Sequence, residues 1–101
     1  MMNSADDFIN DREVMYGSAV NNWVDTAKIW SGILGYDVQP WQAVLCMMGM
    51  KLQRARMVPD YEDNIKDVEG YAEIFRRILG PDMIHAQTAA EYLEKKGEFN
   101  A

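Results

Sequence analysis

PWQAVLCMMGMKLQRARM, Pro40 to Met57, runs directly into VPDYEDNIKDVEGYAEIFRRIL, Val58 to Leu79. Proline is tolerated in the first turn of a helix, where its missing N–H has no partner to lose, so Pro40 marks a start. Trp41, Val44, Leu45, Met48, Leu52 and Ala55 recur at helical intervals, and Cys46, Met47 and Met50 widen the stripe. The spacing predicts a helix over residues 40–57, ending before Pro59 and apolar on most sides, hence central to the fold. Asp60 stands where an N-cap would open a second helix to Leu79, with Ile65, Val68, Ala72, Phe75 and Leu79 on its packed side. Gly80-Pro81 stops it. Two such helices joined by a tight turn make a helical hairpin.

Working outward, residues 18–34 place Val20, Trp23, Val24, Ala27, Trp30 and Leu34 at three- and four-residue steps. Ser18 can cap this helix, and Gly35 lies where a left-handed C-terminal glycine is expected. Before it, residues 4–16 carry Phe8, Ile9, Val14 and Met15 among acids that suit a helix N-terminus, with Ser4 and Asp7 resembling a capping box. After the hairpin, residues 82–96 form a weaker helix with Ala86, Ala89, Ala90 and Leu93 as its apolar edge, and the tail beyond Gly97 frays. No stretch alternates with period two. The expectation is an all-α bundle of four or five helices around a central hairpin, one domain over residues 1–101, with its core at about 4–80. The thin apolar faces of the outer helices lead us to expect a homo-oligomer.

The composition narrows the function. The 101 residues hold 16 acidic and 10 basic side chains, a net charge of −6. General binding to nucleic acid or anionic membrane needs the opposite sign. A single cysteine removes an intramolecular disulfide and any Cys-based zinc site. No apolar run approaches the roughly 18 residues of a membrane span, and the N-terminus lacks the basic-then-apolar pattern of a secretory signal. A soluble, cytoplasmic protein is expected.

Charge is distributed unevenly. From Pro40 to Met57 there are three cations, Lys51, Arg54 and Arg56, and no acid; from Val58 to Glu69 there are five acids and only Lys66. Lys51 follows Val44 by seven residues, so it projects about 20° from that core position. Asp63, Asp67 and Tyr71 make one stripe at i, i+4 and i+8 beside the apolar face of their helix. Charges so near a packed face are costly unless paired or wetted by a cleft. Gly70 leaves a bare position in that stripe, where a backbone or a ligand can approach closely. One reading has Lys51 and Arg54 pairing with Asp63 and Asp67 to lock the hairpin. The other has the cations meeting phosphate, and the carboxylates meeting a divalent cation or a base or ribose edge.

The pattern Arg12-x-x-x-Tyr16-Gly17, Trp30, Lys51-x-x-Arg54 and Asp63-x-x-x-Asp67-x-x-Gly70-Tyr71 resembles a small-protein family of unknown function common in phages and prophages, over residues 10–79. Its second half also looks like the nucleotide-modification-associated domain of phage genomes. More distantly it is similar to the all-α nucleoside triphosphate pyrophosphohydrolases of the MazG type. That last resemblance implies magnesium held by two acid pairs on successive helices. Asp63 and Asp67 match one pair at i,i+4 rather than i,i+3, whereas residues 40–57 offer Gln42 and Lys51 where acids would be required. Asp6, Asp7, Asp11 or Glu13, or a partner subunit, would have to complete the cage.

The residues therefore favour binding over turnover, with no cofactor. Arg12, Lys51 and Arg54 would neutralise phosphate, and Tyr16, Trp30 and Tyr71 would line or stack on a base. In a phage setting the ligand would be a nucleotide such as a host's cyclic defence signal; oligomeric helical proteins of similar size act as sponges of that kind, a likeness of size and class rather than of motif. The alternatives are a magnesium-dependent pyrophosphohydrolase using Asp63 and Asp67, and an acidic protein-interaction module that inhibits a host enzyme. Trp23, Trp30 and Trp41 read as core, Cys46 as buried and inert, and His85 as a surface residue near a helix start.

Overall fold

The computed structural model of the chain describes Ala5, Ile9 and residues 18–100. The expected first helix over residues 4–16 therefore lies almost wholly outside the described residues; Ala5 and Ile9 are helical. Among the described residues there are four α-helices and no strand: α1 (Ala19–Leu34), α2 (Pro40–Met57), α3 (Glu62–Leu79) and α4 (Ala89–Asn100), with a 3-10 turn at Gly80–Asp82. The all-α expectation holds.

The caps explain most of the boundaries. The Ser18 hydroxyl accepts from the Asn21 N–H at the start of α1. At its end Gly35 adopts φ 80°, and its N–H donates to the Ser31 carbonyl at 2.9 Å. Ser31 does more than close a turn. Its hydroxyl donates to the Ala27 carbonyl at 2.8 Å and accepts from the Val38 N–H at 2.8 Å, fixing the 35–39 connection against α1 with Val38 buried. Pro40 then opens α2, and the Gln42 side chain accepts from the Gln39 N–H at 2.9 Å.

The α2–α3 turn departs from expectation. Asp60 does not cap α3; the N-cap is Tyr61, whose side chain makes no capping bond. Asn64 organises the turn from inside α3. Its amide donates to the carbonyls of Val58 at 2.9 Å and Arg54 at 3.5 Å, adding a side-chain donor to acceptors that also take the N–H groups of Tyr61 and Val58. This tie and the short 58–61 connection fold α3 back along α2.

The C-terminal helix also starts later than the apolar spacing suggested, at Ala89 rather than Asp82. Pro81 follows α3 within a 3-10 turn, and residues 83–88 are irregular. Thr88 supplies the true start: its hydroxyl accepts from the Glu91 N–H at 3.1 Å, while the Glu91 carboxylate accepts from the Gln87 N–H at 3.1 Å. This is nearly a capping box, shifted by one residue.

The core gathers Ile9, Val44 and Ile74, with Ala19, Trp23, Met48, Tyr71, Phe75 and Ile78 packed around them. Ala27, Val38 and Ala43 are also buried, on α1, the 35–39 connection and α2. The packed arc of α2 is narrower than its composition suggested. Leu45, Met50 and Leu52 are exposed, as are Ile65 and Ala72 of α3. Cys46, expected to be buried, is exposed too. A helix apolar on most sides has no unique inner face in its sequence; here the neighbours select the arc of Val44, Met48, Lys51 and Ala55. Trp23, Trp30 and Trp41 are half-buried, and His85 is exposed as expected. No helix among the described residues is long and apolar enough to cross a membrane.

Candidate functional site

Lys51 stands on the packed arc of α2, and the chemistry of the hairpin follows from that placement. Its side chain is 16% exposed, and its ammonium lies 3.2 Å from the Asp67 carboxylate on α3, itself 35% exposed. An ammonium this far from water needs a partner, and Asp67 is its one ion-pair partner among the described residues. The phase expectation for Lys51 and the pairing with Asp67 are thus both met.

The other half of the expected cluster is not assembled. Arg54 is exposed near the end of α2, with no ion pair to a described residue. Asp63 is exposed in the first turn of α3, where its carboxylate accepts the Tyr61 hydroxyl at 2.9 Å. That bond, together with the negative charge of Asp63, raises the Tyr61 pKa above its ordinary value. Tyr71, one turn after Asp67, is half-buried and packs edge-on to Trp23, with ring centroids 5.8 Å apart and planes at 75°. Its ring is part of the core wall. Gly70 is buried in α3. Arg12 and Tyr16, and the acids Asp6, Asp7, Asp11 and Glu13, lie outside the described residues.

A cleft of about 670 Å³ opens elsewhere, beside the end of α3, lined by Arg76, Met83, Ile84, His85, Ala86, Gln87 and Glu91. Lys95 holds its outer wall: the ammonium donates to the His85 carbonyl at 2.6 Å and pairs with Glu91 at 3.0 Å. The Gln87 N–H, and then Lys95, hold the Glu91 carboxyl below its usual range. Arg76 and Arg77 both pair with Glu73, at 3.2 and 3.5 Å. A helix beginning at Asp82, as the apolar spacing suggested, would leave no such cleft. The signal available was Thr88-x-x-Glu91, which moves the helix start to Ala89 and leaves residues 83–88 as a loop.

Among the described residues no three His, Cys, Asp or Glu side chains converge as a metal site would require. Asp63 and Asp67 are one helical turn apart, and each already has a partner. Among the described residues these two carboxylates are all that such a site could draw on at the hairpin, while Asp6, Asp7, Asp11 and Glu13 lie outside them. What the hairpin offers is a half-buried cation whose counter-ion is accessible, with a second cation one turn away.

A family model described as a domain of unknown function (DUF6378) matches residues 1–79, which ends with the last residue of α3. No curated protein and no solved structure matches the chain. The chain belongs to the DUF6378 family.

Proposed function

We propose that this DUF6378 protein binds a nucleotide-like phosphate ligand at the α2–α3 hairpin, with Lys51 and Arg54 meeting the phosphate. The observation that supports this reading is the Lys51–Asp67 pair, a cation 16% exposed against a carboxylate 35% exposed. A phosphate group carries more negative charge than a carboxylate and has several acceptor oxygens, so it competes for Lys51 on favourable terms. Arg54, exposed and without an ion pair to a described residue, supplies the second contact. Asp67, released from Lys51, and Asp63 then accept from base or ribose donors. Tyr71 lines the site as part of the wall, because its packing against Trp23 leaves it no freedom to stack. Arg12 and Tyr16 join the set by their place in the sequence pattern.

In the phage setting that the sequence resemblance suggests, such a protein would work in the host cytoplasm as a homo-oligomer, sequestering a cyclic nucleotide used as a defence signal. A second reading, a module that docks on a host protein, draws on the exposed apolar residues Ile29, Ile33, Leu45 and Leu52. Magnesium-assisted turnover by Asp63 and Asp67 is the alternative; it would need further acids, from Asp6, Asp7, Asp11 or Glu13 or from a partner subunit, to complete the metal shell.

The test is a panel of linear and cyclic nucleotides, with and without magnesium, read by thermal shift and by chromatography of what is released on denaturation. The reading expects a stabilising nucleotide recovered intact, and loss of its shift in folded Lys51→Ala and Arg54→Ala variants. An unchanged shift in both variants sinks it. A cleaved product would put the hydrolase first.

A further inference from the structure

The loop between the end of α3 and the start of α4 forms most of the cleft described above. Its lining residues from Met83 to Gln87, and Glu91, lie beyond the family-matched residues 1–79; Arg76 alone comes from the hairpin. Arg76 follows Asp67 by nine residues on α3, roughly 14 Å along the helix axis from the Lys51–Asp67 pair. The cleft is therefore a separate place from the phosphate site proposed above.

The charged groups of the lining differ in what they have left to offer. Glu91 has both carboxylate oxygens taken, one by the Gln87 N–H and the other by the Lys95 ammonium. Lys95 is committed in turn to Glu91 and to the His85 carbonyl. Arg76 is the opposite case. Its side chain is 73% exposed and donates through Nη1 to one oxygen of Glu73, whose other oxygen is met by Arg77. Its Nη2 and Nε have no acceptor among the described residues. The Glu73 carboxylate, only 18% exposed, would keep Arg77 if Arg76 turned to a ligand. The lining thus holds a guanidinium with a free fork of donors and no free acid, and that selects an anion. One free cation suits one negative charge. A phosphate monoester, near −2, would find no second free cation there, whereas a carboxylate matches the fork. Met83 and Ile84 are half-buried, and Ala86 adds a third apolar side chain to a space of about 670 Å³, within the range of small-molecule sites.

We propose that this cleft binds a carboxylate carried on an apolar body, with the carboxylate on Arg76 and the body against Met83, Ile84 and Ala86. The N–H groups of Ile84, His85 and Ala86, which have no acceptor among the described residues, serve a ligand that also carries a carbonyl. Helix α4 packs on no other described helix and is held to the chain through this same loop, by Lys95 on the His85 carbonyl, Glu91 on the Gln87 N–H and the Thr88 cap. A ligand that joins Arg76 of α3 to the loop therefore also ties α4 to the hairpin.

The test is an NMR titration of the isotope-labelled full chain with two acids at millimolar concentrations, phenylpropionate and a blocked alanyl-leucine peptide with a free C-terminus. Amide resonances of residues 83–91 should move with these acids, and the amide of each probe should bind at least about tenfold more weakly. A stronger phenylpropionate would assign the source to a free acid, and a stronger peptide to a chain end. Arg76→Gln should lose about tenfold in affinity with the helical circular dichroism retained, because the side chain is exposed and Glu73 keeps Arg77. Ala86→Trp, also at an exposed position, should block the cleft. Lys66→Gln removes the same charge from an exposed site elsewhere on α3 and should change nothing. Equal binding of acid and amide, an affinity untouched by Arg76→Gln, an equal loss in Lys66→Gln, or still resonances at 83–91 would each overturn the proposal. So would displacement of the acids by an equal concentration of inorganic phosphate. None of these variants alters Lys51 or Arg54, so nucleotide shifts report separately on the hairpin site.

Discussion

Removing either end of the Lys51–Asp67 pair should have unequal effects, and the inequality tests whether Lys51 is a held, exchangeable cation. At 3.2 Å two unit charges attract by about 5 kcal/mol at an effective dielectric near 20. Desolvation of the ammonium takes back most of that, and water around the more exposed Asp67 screens the remainder, leaving about 1 kcal/mol net. Asp67→Ala deletes this gain and strands an ammonium that is 16% exposed, so it should cost about 1–2 kcal/mol. Lys51→Met removes the charge while retaining the stem volume, and should cost less than about 0.5 kcal/mol. For a domain of this size the first corresponds to a fall in Tm of roughly 5–10 °C and the second to almost none. Thermal and urea melts by circular dichroism at low and high salt would measure both. Equal losses, or a silent Asp67→Ala, would refute the reasoning. Lys51 would then be reaching water on its own, with no counter-ion for a phosphate to replace.

Two further outcomes follow from the ends of the hairpin and of α4. Asn64→Ala should destabilise the fold by about 1 kcal/mol, seen as a lower urea midpoint at unchanged slope, because the side-chain tie from α3 to the Val58 and Arg54 carbonyls is lost while their backbone donors remain. Asn64→Asp should do at least as badly, since a carboxylate cannot donate and faces the negative end of α2. For Glu91 the folded-state carboxyl lies below its ordinary range, so its contribution is complete above that range and disappears as pH falls through the depressed value. Helical signal from α4 should therefore hold from neutral pH down to the ordinary glutamate range and decline only below it. Glu91→Gln should weaken that dependence.

The sequence carried the hairpin and its caps well where a backbone requirement was written in one residue. Gly35 had to take positive φ, Pro40 had to start a helix, and Ser18 had an amide to cap. The phase of Lys51 was also legible, because seven residues bring a side chain back almost to the same direction as Val44. Asp60 misled because the turn closes one residue later, with the Tyr61 N–H on the Val58 carbonyl and the Asn64 amide beside it, so that Tyr61 rather than Asp60 falls at the N-cap. The Arg54–Asp63 pair failed for a related reason: both lie near the turn, where side chains splay into water, and Tyr61 offers Asp63 a closer bond. The exposure of Cys46, Leu45 and Leu52 was not in the sequence at all. Their helix is apolar around most of its circumference, and only the position of its neighbours decides which part meets solvent.

The isolation of α4 also bears on how the chain opens and closes over time. Amide protons in the α2–α3 hairpin, stitched at its turn by Asn64 and closed over Val44 and Ile74, should exchange with solvent only when the whole fold opens. Those of α4, held chiefly through Glu91 and Lys95, should exchange in a lone chain almost as fast as the helix frays. A carboxylate seated between Arg76 and the 83–87 loop should slow that exchange while exchange in the hairpin hardly changes. Local opening in one helix would then report how much of the cleft is filled.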